Sequence, residues 1–239
     1  MHRLTFVVLI VLSLVACQPE ASMEEPTTTS LPPTTTSTQI PPTDTSSPPT
    51  ATQMSPTEPV VLKFERTGVV LLIVSNQFDP VEFNGTQSPL LREGYEVVVA
   101  AYTLNPLPDN EGGPTLKADI LLTDVRVDDY DAIVFIGNES LIYLNDPEAH
   151  RIAQEAVEQG RVLAAICYAP LVLAKAGVLD GRRATAWSGF GTDQCSKLVH
   201  DGAICTYKRV QQDGLIITGN GPDATSAFVG AIKRLLQEP

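Results

Sequence analysis

Of the 239 residues only three are His, four are Cys and one is Trp, and Lys and Arg total 16 against 28 Asp and Glu. Each shortage excludes something. Without clustered Lys and Arg nothing neutralises a phosphate backbone, so the chain is not read as a nucleic-acid binder. A formal charge of −12 gives anionic lipid nothing to attract. So few His and Cys, in no ligating spacing, match no zinc pattern, and neither a metal nor a cofactor is expected. No apolar run reaches the roughly 18 residues that a membrane-spanning helix needs.

What is abundant is unevenly placed. Ten of the 19 prolines lie between Gln18 and Pro59, where Pro, Ser and Thr make up 28 of 42 residues and Lys and Arg are absent. Such a stretch cannot bury enough apolar surface to fold and serves as an extended spacer. Before it come Met1-His2-Arg3, an apolar run from Leu4 to Ala16, and Cys17. The order fits a secretory signal. Leu14-Val15-Ala16-Cys17 resembles a bacterial lipobox, which implies cleavage before Cys17 and a lipid on that residue. The expected organisation is a signal peptide (1–16), a lipidated, disordered tether (17–62) and one domain (63–239). The expected location is extracytoplasmic, anchored to a bacterial membrane through Cys17.

The 180 residues from Val60 onward suffice for one sizeable core and fall short of two ordinary domains. Val69 to Val74, Glu96 to Ala101, Asp131 to Ile136, Arg161 to Ile166 and Leu215 to Thr218 are short apolar runs rich in β-branched residues, the pattern of buried parallel strands. Between them lie helix signals. Asp79-Pro80-Val81-Glu82 reads as an N-cap, a proline at the first helical position and a capping-box acid. Asp146-Pro147-Glu148 repeats the cap and the proline. Helices are expected to about Glu93, to Gly160, from Pro170 to Ala176 and from Ala224 to Leu236. Gln211-Gln212-Asp213-Gly214 reads as a hairpin turn. The alternation predicts an α/β fold, a flavodoxin-like three-layer sandwich with a mostly parallel sheet between helices.

Ala164-Ala165-Ile166-Cys167-Tyr168-Ala169-Pro170 marks a strand turning sharply into a helix. A nucleophile elbow needs small residues on either side of the reactive one, and Ala165 and Ala169 supply them. A helix N-terminus next to the thiol would lower its pKa. The competing reading makes Cys167 a small buried hydrophobe.

From Gly68 to Glu238 the chain resembles the ThiJ/PfpI superfamily, which groups deglycases, glyoxalases, chaperones and intracellular peptidases with the glutamine-amidotransferase-like fold. The resemblance rests on Val69 to Val74 with Asp79 to Glu82, on Tyr130 to Gly137, on Ala164 to Pro170 and on Asp213 to Pro222. It implies Cys167 as nucleophile and Glu82 as the neighbouring acid. It also implies Gly137 and Asn138, with Tyr168, as the region of oxyanion donors, a small-molecule substrate and a homodimer. The family's His, in one branch directly after the Cys and in another at the end of a later strand, is replaced here by Tyr168 and Trp187, which would wall the pocket. His150 and His200 read as solvated or capping residues.

The remaining thiols, Cys195 and Cys205, are expected to pair in an oxidising compartment; the rival reading makes one of them a resolving partner for Cys167. The expected activity is Cys-dependent hydrolase or lyase chemistry on small reactive carbonyls or amides. The alternative is a non-catalytic redox-sensing, chaperone-like or ligand-binding module, favoured by the missing His.

Overall fold

The computed structural model describes residues 67–137, 142–189 and 191–238. The expected signal peptide, Cys17 with its tether, and Asn138 lie outside these residues.

Continuous apolar runs become strands because both of their faces are covered. β1 (Val69–Ile73), β4 (Ala132–Phe135) and β5 (Val162–Ile166) are buried almost throughout. With β2 (Glu96–Ala101), β3 (Ile120–Leu121), β10 (Val210–Asp213) and β11 (Ile216–Gly219) they form a seven-stranded sheet in the order β10-β11-β5-β4-β1-β2-β3. Every pairing is parallel except β10 with β11. Register aligns Leu71, Ile133, Leu163 and Ile216 in one row across the sheet.

That row faces α2 (Pro147–Glu158) and α3 (Pro170–Lys175), which bring Ile152, Ala153, Leu171 and Leu173 to one core. The alternate residues, Val70, Leu72, Val134 and Ala164, face α1 (Pro80–Arg92) and α5 (Thr225–Gln237), which bring Phe83, Leu90, Phe228 and Ile232 to a second core. The three expected layers are therefore present, and the period-2 alternation of each strand assigns side chains to them.

Both predicted aspartate caps form. Asp79 accepts from the amides of Val81 and Glu82, and Asp146 from those of Glu148 and Ala149, with a proline following each. The capping box at α1 does not form. Glu82 turns into the protein, and the Asp79 amide donates instead to the Gly137 carbonyl at 3.4 Å. The hairpin turn is also shorter than expected. Gln211 and Gln212 belong to β10, Asp213 pairs with Ile216, and Gly214-Leu215 alone connect the strands.

Beyond α3 the chain forms small pairings. β6 (Arg183–Ala184) pairs with β9 (Ile204–Cys205), and β7 (Ser188–Gly189) with β8 (Thr192–Asp193). Between β8 and β9 lies α4 (Gln194–His200). A disulfide joins Cys195 at the start of α4 to Cys205 in β9, with Cα atoms 5.5 Å apart. Closing a loop of this length stabilises by about 2–3 kcal/mol. Replacing both cysteines by Ser should lower the melting temperature by several degrees, measured by circular dichroism, and peptide mapping without reductant should recover the two peptides linked. Recovery of both thiols free from oxidising medium would refute the pairing.

Candidate active site

The carboxyl ends of β1, β4 and β5 converge where strand order reverses, since β1 is flanked by β2 on one side and β4 on the other. Such a crevice is where open α/β sheets bind ligands. Three sequence-predicted residues meet there: Glu82 from the first turn of α1, Gly137 just after β4, and Cys167 just after β5.

Cys167 sits at φ +65°, in the left-handed region that side chains rarely adopt. Backbone bonds on both sides hold it there. Its amide donates to the Gly219 carbonyl at 2.9 Å, and its carbonyl accepts from the Trp187 amide at 2.9 Å. The residue is only 8% exposed.

Glu82 is fully buried. Its Oε2 accepts from the Gly137 amide at 3.1 Å, and both it and Cys167 crowd the same side of Gly137, close enough for the thiol to bear on the carboxyl electrostatically. Oε1 meets no hydrogen-bond partner by geometry among the described residues, which leaves it as the oxygen to carry a proton. Gly137 is glycine because nothing else fits. A Cβ there would fall 2.5 Å from Cys167 Cβ, 2.7 Å from the Ile166 carbonyl oxygen and 2.8 Å from Glu82 Oε2.

Burial, and after it the charge of Asp79, pushes the Glu82 carboxyl from 4.5 up to about 8, against the Cys167 thiol and the Gly137 amide. Burial also pushes the Cys167 thiol up. The Glu82 carboxylate adds to this, and the Tyr168 amide opposes it. The expectation that the helix N-terminus lowers this thiol's pKa is therefore corrected. α3 is only six residues long, and desolvation and an adjoining carboxylate both push the thiol the other way. The two acids behave as a pair. Below about pH 8 Glu82 keeps its proton and the pair is neutral; one proton fewer leaves a single negative charge beside oxygen and sulfur.

The expected oxyanion region is also revised. The Gly137 amide is committed to Glu82, so Gly137 shapes the pair and is not a free donor. Tyr168 directly follows Cys167 in the turn and is half-buried. Trp187 is brought beside the elbow by its amide, and its ring lies over Gly221, where a Cβ would fall 2.5 Å from Cε3. His150 Nε2 lies 2.9 Å from the Leu144 carbonyl oxygen, His200 is the exposed last residue of α4, and neither bears on Cys167. Cys195 and Cys205 are bonded to each other, and Cys167 is a free thiol. Sequence reading missed the electrostatic part of Asp79. The signal was present, since an Asp three residues before the inward acid caps the same helix turn.

A carboxyl protonated in the fold and ionised in the unfolded chain favours folding below about pH 4.5 and progressively less as pH climbs towards 8. Glu82→Gln, an uncharged isostere, should therefore gain melting temperature over the wild type at pH 8 relative to pH 5. A wild-type to variant difference that stays constant across this range would rule out a buried acid at Glu82.

The sequence matches the DJ-1/PfpI family over residues 69–235. It is 32% identical over 170 residues to an uncharacterized protein of Archaeoglobus fulgidus, covering 70% of this chain and 98% of that one. It is 28% identical over 170 residues to the protein named deglycase PfpI of Pyrococcus furiosus, covering 70% and 99%. Among solved structures, Drosophila melanogaster DJ-1beta superposes with a TM-score of 0.63 at 26% identity, covering 70% of this chain and 89% of that one.

Proposed function

The chain belongs to the DJ-1/PfpI family, and on that premise we propose that its folded domain is a cysteine-dependent enzyme acting on small reactive carbonyl compounds. Cys167 is the nucleophile and Glu82, from the first turn of α1, carries its proton. The observation that carries this reading is the convergence of a buried thiol held at φ +65° and a buried carboxyl on Gly137, where a Cβ would fall 2.5 Å from Cys167 Cβ and 2.8 Å from Glu82 Oε2.

The chemistry follows from the pair. With one proton between them, the Glu82 carboxylate takes the thiol proton as sulfur bonds to the carbonyl carbon. It then returns that proton to the oxygen, giving a hemithioacetal. On an α-oxoaldehyde the same carboxyl next moves a proton from the aldehyde carbon to its neighbour, while the hydroxyl proton passes from the first oxygen to the second, so that the first carbon becomes the thioester carbonyl and the second carries the hydroxyl. The resulting thioester is released by water as a 2-hydroxy acid, with the thiol restored. The missing His is consistent with this sequence, since a carboxyl poised near the working pH can both accept and donate. The relative named as a deglycase supports a carbonyl substrate.

Wild-type protein should consume methylglyoxal, Cys167→Ser should not, and Glu82→Gln should lose about 10²–10³-fold in kcat. The wild-type rate should rise with pH to half its limit near about 8. A second reading has its own observation. Among the described residues no imidazole bears on Cys167 to drive turnover, so the thiolate that the pair does form would instead be oxidised reversibly to sulfenic acid by peroxide. Absence of turnover with peroxide-dependent gain of one oxygen at Cys167, read by mass spectrometry, would establish that reading in place of the first.

The Pro/Thr-rich segment and the Leu14 to Cys17 motif support placing this domain outside the cytoplasm on a lipid anchor. Fatty-acid labelling in a bacterial host should reach the wild type and spare Cys17→Ser.

A further inference from the structure

The acid at the centre of the site sits where a helix N-terminus would ordinarily keep it for itself. In a capping box the acid at the third helical position reaches back to the amide of the cap. At α1 that amide has another acceptor. Three hydrogen bonds close a ring: the Glu82 amide donates to Asp79 Oδ1 at 3.0 Å, the Gly137 amide donates to Glu82 Oε2 at 3.1 Å, and the Asp79 amide donates to the Gly137 carbonyl at 3.4 Å. The other helix that starts with Asp-Pro has no such ring. At α2 the Asp146 side chain caps in the same way, but the third helical position is Ala149, and the acid one place earlier, Glu148, stays outside and pairs with Arg151 at 2.8 Å.

We propose that Asp79 is a positioning residue for the acid of the site. Its side chain fixes the first turn of α1, its amide engages Gly137, and together they release the Glu82 carboxyl inward and aim it at Cys167. This rests on the reading of Cys167 and Glu82 as the working pair. The ring makes the arrangement reciprocal. Gly137 receives Asp79 on its carbonyl and serves Glu82 with its amide, so the end of β4 and the start of α1 move together.

Asp79 also acts by charge. Among the described residues, the ionisable groups that bear on Glu82 are Asp79, from its own helix cap, and Cys167, from the β5–α3 turn; the end of β4 contributes only the Gly137 amide. After burial, Asp79 is the cause that raises Glu82, and it also raises Cys167. A negative charge at the cap thus favours the neutral pair and sets the pH at which the carboxylate appears.

The test uses the full chain and follows alkylation of Cys167 by iodoacetamide against pH, read on its own peptide by mass spectrometry. Asp79→Asn keeps the accepting oxygen and removes the charge. It should shift the inflection down by about 0.5–1 pH unit and leave the melting temperature close to wild type. Asp79→Ala removes the cap as well and should slow alkylation about tenfold at every pH. If Asp79→Asn matches the wild-type profile while Glu82→Gln shifts it, Asp79 has no such role and the pair still stands. If Glu82→Gln also matches the wild type, the pair itself is wrong and the proposal falls with it.

Discussion

One buried contact organises this molecule: a carboxyl and a thiol brought together out of water at the end of a parallel sheet. Neither group is charged willingly there, because desolvation penalises the carboxylate and the thiolate alike. The surrounding structure accommodates that cost. Just beyond β4 comes Gly137, the residue without a side chain, β5 runs into a turn at φ +65°, and α1 is capped by an aspartate that leaves Glu82 free to turn inward. The wide apolar sheet gives these three ends a rigid base.

This changes how the cysteine should be thought of. A nucleophilic thiol is often pictured as ionised in advance by a helix dipole or a cationic neighbour. Here both influences are weak or missing, and the nearest ionisable group is an acid. Activation then depends on proton transfer within the pair at the moment of attack. A histidine would have supplied a positive partner; Trp187 occupies that side of the elbow and supplies a wall resting on Gly221.

Much of the fold was legible because its signals are local. Short apolar runs marked the buried strands, and Asp-Pro pairs marked the starts of α1 and α2. β3 and the small pairings after α3 were not legible, because two-residue strands leave no periodicity to read. The site was legible in its members and not in its wiring. Cys167, Glu82 and Gly137 could be picked from the sequence. Nothing in sequence spacing reveals that the Gly137 carbonyl displaces Glu82 from its cap, or that the Gly137 amide is thereby committed. The thiol's direction was misread for the same reason. A helix start is visible in the sequence, whereas the burial that pushes the other way comes from residues far apart in the chain.

The disulfide has a bearing on the site despite its distance along the chain. Cys195 begins the helix whose first residue, Gln194, donates its amide to the Trp187 carbonyl, and the Trp187 amide in turn holds the Cys167 carbonyl. Read as mechanics, the crosslink fastens the far end of a short backbone chain whose near end is the strained elbow. Segments that open locally do so as cooperative units. A crosslinked wall resists fraying residue by residue, so the elbow retains its conformation for as long as the whole strap remains seated.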